Sequence, residues 1–378
     1  PGDKAVRVKL SDGYGAYPCS PVLDVGNRAV RARVSGGLTA VKASLVNVVG
    51  GYRIPCIVSD SETRAAVNLK WTDYWYRVGD APSGVYGFST GAVWNGKIYA
   101  GISSSLSHWY SFDIATGEGV QLADFPGSPR QWMGKAVAVN GKIYVGLGGA
   151  YGGWYGSTDF WAYDIETDSW DQMENFGGSP RYGHIIVVIG ATIYVGCGFN
   201  TYYSSSGNFF SDWWGYSTDT DEWWLAYDPT NDPDNPDWDW YAARGFSGAG
   251  AAVGGSIYYG GLYDYYGAQN GWWRFSPGGA SPKIVQLGTS AVYGHTNYSA
   301  IAEAIGNRVY FGRPTFTWNE YNVDADSWLS KEIRTTDPVP RYGYGQHRGK
   351  IYCGGGWRSK NLASYLCYDP AGVPWGIE

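Results

Sequence analysis

The chain has no apolar run of the roughly 18 residues that a membrane-spanning helix needs. Charged side chains are scarce, at 16% of 378 residues, and the formal net charge is −6. The basic footprint of a nucleic-acid binder is therefore missing. Five cysteines, Cys19, Cys56, Cys197, Cys353 and Cys367, include no Cys-x-x-Cys pair, which removes zinc-ligand spacing. Cys19 with Cys56 is one possible disulfide, and the odd total leaves a thiol over unless it bonds another chain. No Gly-x-Ser-x-Gly elbow stands in a strand–turn–helix context, and no phosphate loop occurs. The chain opens at Pro1 without Met, so trimming of a targeting segment is expected.

Aromatics and glycine are abundant instead: 33 Tyr, 20 Trp and 56 Gly. Short strands joined by Gly-rich turns fit this composition. One element recurs six times. It reads Asn95-Gly96-Lys97-Ile98-Tyr99-Ala100-Gly101, then Asn140-Gly141-Lys142-Ile143-Tyr144-Val145-Gly146. It returns as Ile193-Tyr194-Val195-Gly196, Ile257-Tyr258-Tyr259-Gly260, Val309-Tyr310-Phe311-Gly312 and Gly349-Lys350-Ile351-Tyr352-Cys353-Gly354. From Ile98 to Ile351 the steps are 45, 50, 64, 52 and 42 residues. An apolar run precedes each anchor. An aromatic strand closing on Asp follows, as in Phe160–Asp164, and then a strand bearing Trp, as in Asp168-Ser169-Trp170. Four antiparallel strands per unit make a propeller blade.

These repeats resemble the Kelch family over residues 71–378, with a period near its roughly 50 residues. The resemblance implies an all-β, six-bladed β-propeller. The last blade lacks a fourth strand before the chain stops at Glu378. Residues from about Trp71 to Val78 are expected to complete it and close the ring, with Pro374-Trp375 as the competing segment. Residues 1–70 show no anchor. Alternation in Val6–Leu10, Val30–Val34 and Tyr52–Val58 predicts a small β-sandwich-like module, Ig-like or partial.

In a blade, the connections between strands two and three and those leading to the next blade share one face. The long connections are 148–159, 198–221 and 261–271, all on that face, and binding residues concentrate on such loops. Trp154, Tyr155, Trp213, Trp214 and Tyr265 are the candidate contacts there, with Trp109 beside them. Exposed Trp and Tyr suit sugar rings; the alternative is that they pack on one another. Arg130, Arg181, Arg244 and Arg341 open first strands, so a partial ring around the channel is expected. Such a ring would hold a carboxylate or phosphate, unless each Arg bonds carbonyls within its own repeat. The acidic stretch Asp228–Asp239 lacks calcium-loop order and reads as a solvated turn. No Tyr-His step points to copper, so no metal and no cofactor are expected.

Ile98-Tyr99-Ala100-Gly101, Trp109-Tyr110 and Phe125-Pro126-Gly127-Ser128-Pro129-Arg130-Gln131 are similar to the sialic acid mutarotase (N-acetylneuraminate epimerase) branch of Kelch proteins, over about one blade. That branch's catalytic loop has no match here. The expected function is a secreted or surface-displayed binder of a glycan or partner protein. The alternative is a mutarotase acting on an acidic sugar such as N-acetylneuraminate.

Overall fold

The computed structural model describes residues 4–10, 13–20, 29–34, 37–42, 46–48, 51–53, 74–80, 88–131, 133–150, 156–200, 209–229, 245, 248–264, 267–268, 271–278, 282–289, 300–313, 317–331, 342–354 and 364–370. Two compact units are present: Pro1–Tyr74 with Ala371–Glu378, and Trp75–Pro370. In the first, Lys4–Leu10, Gly13–Ser20, Ala29–Val34 and Gly37–Lys42 form an antiparallel four-stranded sheet, and Val46–Val48 pairs with Gly51–Arg53. Cys56 lies outside the described residues.

The second unit is a six-bladed β-propeller of four-stranded antiparallel sheets. Blade one holds Thr90–Trp94, Lys97–Gly101, Trp109–Asp113 and Gly119–Gln121. Blade two holds Val137–Val139, Lys142–Gly146, Phe160–Asp164 and Ser169–Met173. Blade three holds Ile185–Ile189, Thr192–Gly196, Trp213–Ser217 and Glu222–Tyr227. Blade four holds Ala249–Val253, Ser256–Gly260, Gly271–Ser276 and Lys283–Thr289. Blade five holds Ile301–Ile305, Arg308–Arg313, Thr317–Asn322 and Ser327–Lys331. Blade six holds Tyr342–His347, Lys350–Gly354 and Ser364–Asp369, and its outer strand is Tyr74–Asp80. The segment before blade one thus completes the ring; Pro374-Trp375 lies outside the described residues. Each first strand touches the first strands of both neighbouring blades, including blade six against blade one, so the ring is closed.

Cross-strand register explains the anchor. Its Ile or Val is fully buried in all six blades. Its Gly faces the opening aromatic of the third strand each time: Trp109, Phe160, Trp213, Trp272, Trp318 and Tyr365. A Cβ on Gly196 would lie 2.2 Å from the Trp213 ring, and one on Gly146 2.5 Å from Phe160. Glycine is needed there for close approach.

The same six aromatics cement blade to blade. Trp109 packs on Tyr163 and Trp170, Phe160 on Tyr216 and Trp223, and Trp213 on Phe275. Trp272 packs on Tyr321 and Trp328, Trp318 on Tyr368 and Trp75, and Tyr365 on Phe112. Trp75 holds the place that Trp170, Trp223 and Trp328 hold elsewhere. Each ring pair adds about 0.5–1.5 kcal/mol beyond its buried area.

On one face, the turns between first and second strands are all tight, with two residues each. Asn95-Gly96, Asn140-Gly141, Gly254-Gly255 and Arg348-Gly349 have positive φ at both central residues, the type I′ pattern that matches strand twist. Gly190-Ala191 and Gly306-Asn307 have positive φ only at the first, the type II′ pattern.

Candidate functional site

The face opposite the tight turns carries the second-to-third-strand connections: 147–159 in blade two, 197–212 in blade three and 261–270 in blade four. Two of these have stems fixed by one repeated device. Arg130, 5% exposed, donates from both terminal nitrogens to Asp159, 2.6 Å from Nη2 to Oδ2. Its Nε donates to the Ser128 carbonyl at 2.9 Å and its Nη1 to the Leu147 carbonyl at 3.2 Å. Arg181, fully buried, repeats this with Asp212 at 2.7 and 3.0 Å, Ser179 O at 3.1 Å and Cys197 O at 3.0 Å. Trp161 and Trp214 donate their indole N–H to the same two carboxylates, at 2.9 and 2.7 Å. Phe125 lies under Arg130 at 5.4 Å, and Phe176 under Arg181 at 4.8 Å. Burial pushes the Asp159 carboxyl up. The hydrogen bonds and charge of Arg130, aided by Ser157 and Trp161, outweigh this and hold it below the usual carboxylate range.

From sequence, Arg130 and Arg181 either ring the channel to hold an anion or bond carbonyls within their own repeat. Their forks take the second course: each is turned into its own blade, bonds two carbonyls there and closes on a carboxylate, a geometry that two planar groups favour. The pattern behind this is a repeated stretch: Phe125-Pro126-Gly127-Ser128-Pro129-Arg130 and Phe176-Gly177-Gly178-Ser179-Pro180-Arg181. Its Phe covers the guanidinium, its Ser carbonyl accepts Nε–H, and its Arg reaches the Asp that precedes the third strand. The segment that resembles the mutarotase branch is thus part of a stem lock.

The aromatic candidates also need correction. Trp213 and Trp214 lie in the third strand of blade three, so that connection ends at Asp212. Trp213 and Trp109 are fully buried between blades. Their place opposite the anchor glycine makes them cement. Trp214 is partly buried, 5.6 Å from Phe176. Trp154, Tyr155, Tyr265, Arg244 and Arg341 lie outside the described residues, as does most of Asp228–Asp239. Among the described residues no three His, Cys, Asp or Glu side chains converge as metal ligands, and no helix is long and apolar enough to cross a membrane.

A second group of polar residues, unforeseen from sequence, sits on the inner strands. Lys135, just before the first strand of blade two, reaches Glu303 in the first strand of blade five, with Nζ 3.0 Å from Oε1. Blades two and five stand opposite each other in a six-bladed ring, so the pair spans the axis. Burial pushes the Glu303 carboxyl above its usual range, with Lys135 opposing. The available signal was an acidic residue inside an apolar inner strand, Ile301-Ala302-Glu303-Ala304-Ile305. His184, just before the first strand of blade three, is 2% exposed. Burial, with the neighbouring charge of Arg181, drives its pKa down to about 3, so it is neutral.

Fold and register define a six-bladed propeller with one tight-turn face and one face of long, clasped connections. The solved structure of YjhT matches it with a TM-score of 0.59 at 16% identity, covering 75% of this chain and 94% of that chain. At that identity the likeness speaks for the propeller fold. No family model and no curated protein matches the chain.

Proposed function

We propose that this chain is a Kelch-type propeller, secreted or surface-displayed, that binds a glycan through the face bearing its long connections; a partner protein is the other ligand class for the same face. The observation that carries this reading is the asymmetry between faces. Every first-to-second-strand turn has two residues between its strands, whereas blades two to four place aromatic-rich connections on the other side. Two stems are locked by buried Arg–Asp pairs. Ordering long chain segments costs entropy, and rigid stems reduce what remains to be lost on binding. The contacts assigned to ligand are Trp154, Tyr155 and Tyr265, with Trp214 at the loop base.

The test is a glycan array with the full chain, followed by calorimetric titration of Trp154→Ala and Tyr265→Ala. Each is expected to weaken binding by about 1–3 kcal/mol with an unchanged melting temperature. Unfolding with residual affinity intact would return these rings to a packing role. A second reading, mutarotation of an acidic sugar, is favoured by the axial Lys135–Glu303 pair, since general acid–base chemistry needs a carboxyl with a raised pKa beside a proton partner. Accelerated anomerisation of N-acetylneuraminate, followed by NMR, would select it.

A further inference from the structure

The outer strand of blade three, Glu222–Tyr227, stands at the margin of its sheet. A marginal strand presents a row of unpaired N–H and C=O groups, and proteins blunt such edges with charge, shortness or irregularity. Blade one's outer strand has three residues. Blade two's carries Asp171 at its centre, 3.5 Å from Lys142 Nζ. Blade four's is interrupted by Gly288, at φ +132°. Blade five's ends on Lys331, and blade six's contains Arg77. Blade three's reads Glu-Trp-Trp-Leu-Ala-Tyr, with no charge or glycine after its first residue.

Among the described residues four large apolar side chains are exposed, Val120, Trp224, Leu225 and Leu329. Only Trp224, at 41%, and Leu225, at 49%, are neighbours. Successive side chains of a strand point to opposite faces, so this edge is apolar above and below. Trp224 is held flat: its ring lies across Gly215, where a Cβ would meet it at 2.3 Å. Leu225 stands opposite Trp214 in the register.

Charge names the occupant. Between Arg181 and Arg244 the sequence has no Lys or Arg. It has five acidic residues over Asp212–Asp228 and four more over Asp232–Asp239. Arg181 balances Asp212, and Asp221 accepts from the Tyr216 hydroxyl and the Glu174 N–H. Asp219 and Glu222, with Glu174 across the blade junction, are exposed where the strand begins.

We propose that the outer strand of blade three is a docking edge for a partner protein, which adds an extended strand of alternating apolar and basic residues. Main-chain bonds to the open edge supply affinity. Apolar side chains of the added strand cover Trp224 and Leu225, and its Lys or Arg meets Glu222, Asp219 and Glu174. This surface lies on the circumference of the ring and is independent of the connections assigned to glycan.

The experiment is calorimetric titration of the full chain with capped heptapeptides. The basic probe is Lys-Val-Thr-Val-Thr-Val-Lys. One control exchanges both Lys for Glu; another places Pro at the centre, where it removes a ladder donor. The basic probe should bind at least about tenfold tighter than either control and weaken as salt rises. Leu225→Lys and Glu222→Lys should each weaken it about tenfold, with an unchanged denaturation midpoint because both side chains are exposed. Leu329→Lys on blade five should change nothing. Equal binding of the three peptides, or indifference to Leu225→Lys and Glu222→Lys, would overturn the docking edge. So would no binding of the basic probe at about 1 mM. Sedimentation of the chain alone is the second arm. Self-association abolished by Leu225→Lys would give the edge to a second copy and overturn the separate partner.

Discussion

Blades two and three differ from blade five in what joins their second and third strands. In blades two and three the joins are 147–159 and 197–212; in blade five only 314–316 intervenes. The residue just before the opening aromatic is Asp159 or Asp212 in the former and Thr317 in the latter. Blade five also directs its buried carboxylate elsewhere. Glu320 bonds Arg308 on the second strand and Lys331 on the fourth, the latter at 2.7 Å, bracing the sheet surface. In blades two and three the base of a long join is thus clamped by an arginine that the preceding Pro-Arg step delivers, whereas blade five closes a short join with Thr317 at that place.

Arg181→Ala would test that comparison most severely. It removes the partner of Asp212 and strips a donor from the Cys197 carbonyl. Breaking a buried pair from one side costs about 3–5 kcal/mol, read as a drop in chemical-denaturation midpoint. Arg130→Ala should act in the same direction. Arg244→Ala and Arg341→Ala should each cost under about 1 kcal/mol, because their blades offer Gly271 and Ser364 where the clasp needs a carboxylate. Equal losses across all four would break the link between clasp and loop. Next in size is Trp75→Ala, about 3–4 kcal/mol, because Trp75 is the ring-closing counterpart of Trp170 and Trp223. A small loss there would mean that the N-terminal strand docks without holding the ring shut.

This comparison also marks how far sequence could be read. Blade number, anchors and the closing strand followed from local patterns, since Ile-Tyr-x-Gly and Asn-Gly encode a strand and its turn within a few residues. The roles of Arg130, Arg181, Trp109 and Trp213 depended on register between strands, which a long join conceals. Counting back from Tyr216-Ser217 against Ile193 would have placed Trp213 opposite Gly196. The doublet Asp159-Phe160-Trp161 and Asp212-Trp213-Trp214 signals the clasp. Nothing local pairs Lys135 with Glu303, because the ring alone brings opposite blades together.

Acid should separate the axial margin from the clasps. His184 is held neutral in the fold down to about pH 3, whereas an exposed histidine protonates near 6.5. The unfolded chain therefore binds a proton that the fold refuses, and stability falls as pH drops from about 6.5 toward 3. The loss should reach roughly 2 kcal/mol by pH 5. In contrast, the Asp159 clasp is fully formed above the ordinary carboxylate pKa and weakens only below it. Denaturation of wild type and His184→Gln at pH 8 and pH 5 checks this; the variant should lose most of the slope in that window. An unchanged slope would place the acid-sensitive group elsewhere.

The smallest effect belongs to the tight-turn face. Gly141 has φ +80°, and a Cβ built there meets nothing within 4 Å. Gly141→Ala therefore carries backbone strain alone, about 1–2 kcal/mol for a left-handed residue. The equivalent position in blade three is already Ala191, in a turn whose only positive φ is at Gly190, +63°. Ala191→Gly should cost less, about 0.4–1 kcal/mol, mainly by loosening the unfolded chain. The two substitutions probe the same site of the repeat with opposite chemistry. Their order distinguishes a type I′ turn in blade two from a type II′ turn in blade three. If Gly141→Ala were the milder change, the two blades would share one turn type and the division of this face into two classes would fail. Neither substitution should alter ligand affinity, because the connections proposed to bind ligand lie on the opposite face. A change in affinity from either one would place the ligand on the wrong end of the propeller.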